Sequence, residues 1–152
     1  MAAITKFFLT YEEEKLIAAA LLRHREEEGN AFVWLGDLET TMDALRQKAK
    51  NMQVTFFYDD NGFVGILVCD VGNVWWSKKK FMIEELVLCV RPDYHGFARE
   101  AIAYLEQLAE LWEVDAIIAG CYFQKTPQIV MNSYKKAGFT IDTSSCIKVV
   151  KK

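Results

Sequence analysis

The stretch 81–112 constrains this chain more than any other. It opens Phe81-Met82-Ile83-Glu84-Glu85-Leu86-Val87-Leu88-Cys89-Val90, an apolar run interrupted only by two glutamates. Such a run, rich in β-branched and long aliphatic side chains, predicts a strand over 82–90 that is buried on both faces. Pro92 ends it, because proline brings no N–H to a sheet ladder and restricts the residue before it. Past Gly96 the period changes. Ala98, Ile102, Leu105, Ala109 and Trp112 recur at steps of four and three, one stripe of an amphipathic helix. The first N–H groups of such a helix have no partner within it, and the helix dipole places partial positive charge there. A phosphate or diphosphate is the natural occupant of that end. The same strand–turn–helix unit also serves simply to build a core.

The chain has 152 residues, enough for one compact domain over 1–152 with a full core. With 52% hydrophobic and 26% charged residues the balance is that of a globular protein, not a disordered one. A net charge of −3 gives no electrostatic reason to expect nucleic acid as a partner. No apolar run approaches the roughly 20 residues that a bilayer span needs, so no membrane is expected. Residues 1–10 lack the charged, then apolar, then small pattern of a signal peptide. Cys69, Cys89, Cys121 and Cys146 stand alone, none at metal-ligand spacing from another Cys or His. They read as buried free thiols in a reducing cytoplasm, with no metal and no base to activate a catalytic thiol.

Taken in order, 4–9 reads as a first strand, and Thr10 as the N-cap of a helix with Glu12, Glu13 and Glu14 in its first turn. Leu16, Ala19, Ala20 and Arg23 carry this helix to His24, and Gly29-Asn30 ends it. The segment 31–38 is irregular and aromatic; Phe32 and Trp34 fit either a ligand cleft or a satellite core cluster. A second helix starts at Asp37 or Thr40 and runs to Lys50. A hairpin follows, 54–58 and 63–69, joined by the turn signal Asp59-Asp60-Asn61-Gly62. The loop 71–80 carries Trp75, Trp76 and the run Lys78-Lys79-Lys80, a solvated tip or an attractor for a phosphorylated ligand. After the organising unit, 116–122 reads as a short buried strand. Thr126-Pro127 opens a helix that Gly138 stops, and 139–150 closes with one or two strands. This order predicts an α/β (α+β) fold in which a mixed, mostly antiparallel sheet carries helices on both faces.

That order resembles the GNAT acyltransferase superfamily, over nearly the whole chain and most strongly over 84–139. In the family a strand ending Val-x-Pro leads into a turn rich in Arg and Gly, matched here by Val90-Arg91-Pro92-Asp93-Tyr94-His95-Gly96. A later helix ends Tyr-x-Lys-x-Gly-Phe, matched by Tyr134-Lys135-Lys136-Ala137-Gly138-Phe139. The early Arg23-His24-Arg25-Glu26 and the spacing from Glu85 to Pro92 are similar to small members encoded by bacteriophages. The resemblance implies an acetyl-CoA-dependent N-acetyltransferase, with an amine of a small molecule or protein as acceptor, and it allows a homodimer. It implies that the diphosphate loop falls on His95, Gly96, Phe97, Ala98, Arg99 and Glu100, and that main-chain groups around Leu88, Cys89 and Val90 meet the pantetheine amides. Three positions depart from the family pattern: His95 for Arg or Gln, Ala98 for the central Gly, and Glu100 for the last small residue. Glu100 matters most, since a carboxylate in the first helical turn competes with phosphate for the same N–H groups; pointing to solvent, it would merely cap its own helix.

Acetyl transfer from a thioester to an amine needs a base for the amine, a donor for the developing oxyanion and an acid for the leaving thiolate. Glu84 and Glu85 lie on opposite faces of one apolar strand, where desolvation makes an unpaired carboxylate costly. Spacing prefers Glu85 as base. The resemblance makes Tyr134 the acid, although the helix period allows it to be a core aromatic. His95 is a candidate acid–base group or a plain exposed turn histidine, and His24 faces the acceptor cleft or is a surface histidine. The departures at Glu100, His95 and Ala98 also suit a second reading, a catalytically degenerate member of the fold that works by binding a protein partner.

Overall fold

The computed structural model describes residues 1–28, 36–119 and 127–140. Its elements are β1 (Ala2–Thr5), α1 (Tyr11–Glu28), α2 (Leu38–Lys50), β2 (Val54–Asp59), β3 (Gly62–Gly72), β4 (Phe81–Cys89), α3 (Phe97–Leu111), β5 (Ala116–Ile118) and α4 (Pro127–Lys136). The five strands form one sheet in the order β1-β2-β3-β4-β5. The first three pairings are antiparallel; β4 and β5, joined through α3, are parallel. The fold is thus the mixed, mostly antiparallel sheet that the sequence predicts.

Strand alternation decides which helices cover which face. Phe56, Ile66 and Leu88 turn to one side and pack with Ile17 and Ala20 of α1 and Met42 and Leu45 of α2. Their neighbours Phe57 and Leu67 turn to the other side and pack with Phe97, Ala101 and Leu105 of α3. Burial of each large side chain such as Phe56, Ile66 or Leu67 contributes about 1.5–3 kcal/mol. Gly65 sets the depth of α3. A β-carbon there would lie 2.4 Å from the Leu88 carbonyl oxygen and 2.7 Å from the Phe97 ring, so the first helical residue seats directly on β3 only because this position is bare. The β2–β3 turn needs left-handed backbone at Gly62 (φ 107°). Arg91 grips that turn through two hydrogen bonds to Asp59 (2.7 and 2.8 Å) and one from Nε to the Phe63 carbonyl (3.0 Å). The guanidinium holds the Asp59 carboxyl below its ordinary range.

Several elements differ from expectation for identifiable reasons. The first strand occupies Ala2–Thr5, not 4–9, because Lys6 leaves the sheet to bond Glu13 at 2.6 and 2.8 Å. Thr10 caps α1 as expected, within a reciprocal capping box. The Glu13 N–H donates to Thr10 Oγ1 (3.2 Å) and the Thr10 N–H donates to Glu13 Oε2 (2.9 Å). Asp37 caps α2 by accepting from the Thr40 N–H at 2.8 Å. The buried face of α3 is Phe97, Ala101, Ile102 and Leu105, while Trp112 is exposed. Seating Phe97 over Gly65 turns the helix and leaves Ala98 at its edge. β5 spans Ala116–Ile118 and both its end residues are exposed, so it is not the buried strand expected over 116–122, of which 120–122 lie outside the described residues. The Gly29-Asn30 stop, Phe32, Trp34, Cys121, Thr126, Cys146 and the chain from 141 onward lie outside the described residues, and Phe139 and Thr140 are irregular.

Candidate active site

Gly96 adopts left-handed backbone (φ 86°) at the N-cap of α3 and supplies no side-chain cap. The first intrahelical bond runs from the Glu100 N–H to the Gly96 carbonyl at 3.2 Å. The amides of Phe97, Ala98 and Arg99 therefore precede the ladder and project from the helix end. Arg99 curls back over the turn, with its Nη2 3.5 Å from where a Gly96 β-carbon would sit. This end opens on a groove of about 670 Å³ between α3 and α4, a size suited to an extended ligand. Among the described residues, His95, Arg99 and Lys136 line it against one carboxylate, Glu106; Ile102 and Val130 supply apolar wall. A second hollow of about 210 Å³ shares His95, Gly96 and Ala98 with the groove and extends to His24, Val87 and Cys89. The two hollows thus adjoin at the turn, one between α3 and α4 and the other toward the end of β4.

The carboxylates of β4 are sorted by a β-bulge. Pairing steps from Val68 opposite Leu86 to Cys69 opposite Glu84, leaving Glu85 as the extra residue. Met82 packs with α3, Leu86 packs on the α1–α2 side, and Val87 and Cys89 return to α3. Glu84 shares the Met82 side and is buried, and the Tyr134 hydroxyl of α4 donates to its carboxylate. Glu85 lies on the opposite side and pairs with Lys48 of α2 at 2.7 Å. Sequence spacing prefers Glu85 as base, but the bulge and the strand alternation bring Glu84, not Glu85, to Tyr134.

The end of α4 explains why Tyr134 is held so firmly. Gly138 is left-handed (φ 92°). Its N–H donates to the Lys135 carbonyl (3.0 Å) and the Phe139 N–H donates to the Tyr134 carbonyl (3.0 Å). This is a Schellman cap, completed by the Phe139 ring against the Tyr134 ring at 5.2 Å between centroids. The Tyr-x-x-x-Gly-Phe pattern thus locks the backbone that carries the buried hydroxyl.

The other expected site residues distribute as follows. Leu88 and Val90 are buried in the α1–α2 core, and Cys89 is half-buried with its Sγ donating to the Arg91 carbonyl at 3.3 Å. Burial raises the Cys89 thiol, and raises Cys69 to about 11, so both stay protonated and unreactive. Among the described residues β5 pairs only with Phe81–Ile83, so the stretch of β4 from Glu84 to Cys89 has no β5 partner there. His95, Gly96, Ala98 and Arg99 meet at the groove, whereas Phe97 is buried beneath it. Glu100 lines neither hollow; its Oε2 accepts from the Tyr94 hydroxyl at 3.0 Å. Two participants escaped the sequence reading, Tyr94 and Lys136. The signal for Lys136 was its place in the C-terminal block, two residues after Tyr134. Among the described residues no group of His, Cys, Asp and Glu is arranged to hold a metal ion, and no helix is long and apolar enough to cross a membrane.

No family model matches the chain, and no curated protein matches it in sequence. Solved structures do match in fold. A GCN5-related N-acetyltransferase from Ralstonia eutropha superposes with a TM-score of 0.69 at 12% identity, over 94% of this chain and 96% of its own. A ribosomal-protein-alanine N-acetyltransferase from Brucella melitensis biovar Abortus gives 0.62 at 12% identity, over 97% of each chain. A predicted acetyltransferase from Clostridium acetobutylicum, solved with acetyl-CoA, gives 0.63 at 14% identity, over 93% of this chain and 92% of its own. The fold is that of GNAT-type acetyltransferases. The finer likeness to phage-encoded members finds no support among these structures.

Proposed function

We propose that this chain is an acetyl-CoA-dependent N-acetyltransferase acting on a primary amine of a small molecule or protein. One observation carries the reading: the uncapped first turn of α3 opens directly on a groove walled by Arg99 and Lys136. A diphosphate suits the amides of Phe97, Ala98 and Arg99, with the Arg99 guanidinium folded over them. The rest of a nucleotide has room between α3 and α4, and the main chain of Leu88, Cys89 and Val90 offers partners to a pantetheine arm. Acetyl-CoA supplies the acyl group as a thioester. For the transfer we assign Glu84, not Glu85, as the base that accepts the amine proton, with Tyr134 supplying a proton to the departing thiolate. The proton held on Glu84 then returns along the Glu84–Tyr134 hydrogen bond, so the pair ends each turnover as it began.

Calorimetry and thermal unfolding with acetyl-CoA test the reading. At a hundredfold excess over Kd, binding stabilises the fold by about 2.7 kcal/mol, a rise in Tm of about 5–10 °C for a chain of this size. Acetyl-pantetheine, which lacks the diphosphate, is expected to give little or no rise. No heat and no shift with millimolar acetyl-CoA would overturn the assignment. A second reading then stands, a partner-binding member of the fold, favoured by the exposed Trp75 and Trp76 beside Lys78 and Lys79. On that reading, Glu100→Gly with His95→Arg is expected to create cofactor binding.

A further inference from the structure

Glu100 stands where a carboxylate should harm a diphosphate seat, yet the structure shows it held elsewhere. With Gly96 as N-cap, Glu100 is the fourth helical residue, one past the capping-box place that Arg99 holds, and still in the first turn of α3. A carboxylate free to lean on that end would add negative charge where a diphosphate would sit. Instead it accepts the Tyr94 hydroxyl at 3.0 Å and lines neither the groove nor the smaller hollow. Tyr94 is itself fixed. Its N–H donates to the Arg91 carbonyl at 3.3 Å, and its ring meets the Phe97 ring edge-on at 6.4 Å between centroids. Arg91 is in turn anchored to Asp59, so the tether runs back to the rigid β2–β3 turn. Burial and the Glu100 carboxylate both raise the Tyr94 phenol, which keeps it a proton donor at neutral pH.

The geometry points to Tyr94 as a positioning residue that holds the Glu100 carboxylate off the first-turn amides and so keeps the seat open to a diphosphate. This rests on the acetyl-CoA reading of the same site. It explains how a chain with glutamate in that turn retains the seat, and it gives Tyr94, which also lines the smaller hollow, a role in cofactor affinity that acts through Glu100. The charge of the first turn then depends on where one side chain is parked as well as on which residue is present.

A double-mutant cycle tests it. Acetyl-CoA affinity is measured by calorimetry for the unaltered chain, Tyr94→Phe, Glu100→Gln and the pair together, with the unliganded Tm of each as a folding control. Tyr94→Phe keeps the ring and removes only the hydroxyl. It is expected to weaken binding about fivefold, the scale of one charge at a helix terminus. In the Glu100→Gln background the same change is expected to cost nothing, because no carboxylate remains to be released. The Tyr94→Phe loss is also expected to shrink in high salt, which a packing defect would not do. Equal losses in both backgrounds, no loss in either, or a Tyr94→Phe chain that no longer folds would each make Tyr94 a structural residue and overturn the inference. The acetyl-CoA assignment survives all three results. An unaltered chain that binds no acetyl-CoA overturns both.

Discussion

Two glutamates in this molecule are buried to nearly the same degree, Glu13 at 5% exposure and Glu84 at 7%, and each accepts a hydrogen bond from a tyrosine hydroxyl. Burial therefore does not distinguish them; their surroundings do. Glu13 faces the Lys6 ammonium at 2.6 and 2.8 Å, caps the N–H of Thr10, and receives the Tyr58 hydroxyl. The ammonium lies over the Phe56 ring at 4.7 Å and over the Tyr58 ring at 5.8 Å. Neither Glu13 nor any of these partners lines the two hollows at α3. Glu84 and Tyr134 line neither hollow either, but their pair bridges β4 to α4, where Tyr134 directly follows the groove-lining Ser133. A carboxylate locked against an ammonium is a structural tie. A carboxylate that receives a hydroxyl proton next to a groove-lining residue is, on the proposed function, a place where a proton can move.

The sharpest way to break this comparison is to neutralise each carboxylate while keeping its shape. Glu84→Gln removes the proposed base and is expected to lower turnover by about 10²–10⁴-fold, the usual range for one general acid–base group. Tyr134→Phe is expected to lower kcat with little change in KM for acetyl-CoA, since the ring and the Schellman cap remain. Release of free thiol from acetyl-CoA across a panel of primary amines reads both. Full turnover in Glu84→Gln would return Glu84 to the same structural class as Glu13.

Glu13→Gln is expected to leave turnover nearly intact and to cost about 3 kcal/mol of stability, because it strands a largely buried Lys6. The pH dependence has a definite sign. Burial alone would raise the Glu13 carboxyl, but hydrogen bonds from Lys6, Tyr58 and Thr10 outweigh it and hold it below its ordinary value of 4.5. The folded state thus binds the proton less readily than the unfolded chain. Its contribution is fully present above about pH 4.5 and is lost as pH falls through the depressed folded value. Urea midpoints at pH 7 and pH 3 are expected to lie closer together in Glu13→Gln than in the unaltered chain. A gap as wide as the unaltered chain's would show that Asp59, Asp37 and Glu14, also depressed, carry the acid sensitivity instead.

Legibility in the sequence followed the range of the physics involved. The 97–111 helix, the Thr10 cap and the 59–62 turn rest on residues within a few positions of one another, and local chemistry announces them. The register of β4 does not, since its bulge exists only in relation to β3, and one extra residue reverses which glutamate meets α4. The Tyr94–Glu100 contact was out of reach for a related reason. The pair is close in sequence, but the direction of each side chain is fixed by Gly65 letting Phe97 sit deep and by Arg91 reaching back to Asp59. Tyr134 lies between these cases. Its block announces a helix stop at Gly138, whereas its hydroxyl partner lies 50 residues earlier.

The smallest expected effect is the one that most sharpens the choice between adjacent carboxylates. Glu85 sits on the bulge itself, beside Glu84, but on the α1–α2 side and paired to Lys48 with both side chains about one-third exposed. Ion pairs of that exposure contribute about 0–1 kcal/mol, because water screens the attraction and two long side chains must be held still. Lys48 also lies in the last turn of α2, where a cation is favoured by the helix dipole whether or not Glu85 is present. Glu85→Gln and Lys48→Ala are thus each expected to shift the urea midpoint only slightly and to leave thiol release within about twofold of the unaltered chain. The two side chains flank the same bulge, so any loss arising from a disturbed backbone appears in both glutamate variants. Only the loss of a base separates them: a turnover collapse in Glu85→Gln with Glu84→Gln fully active would transfer the proton-accepting role across the sheet and detach Tyr134 from the chemistry.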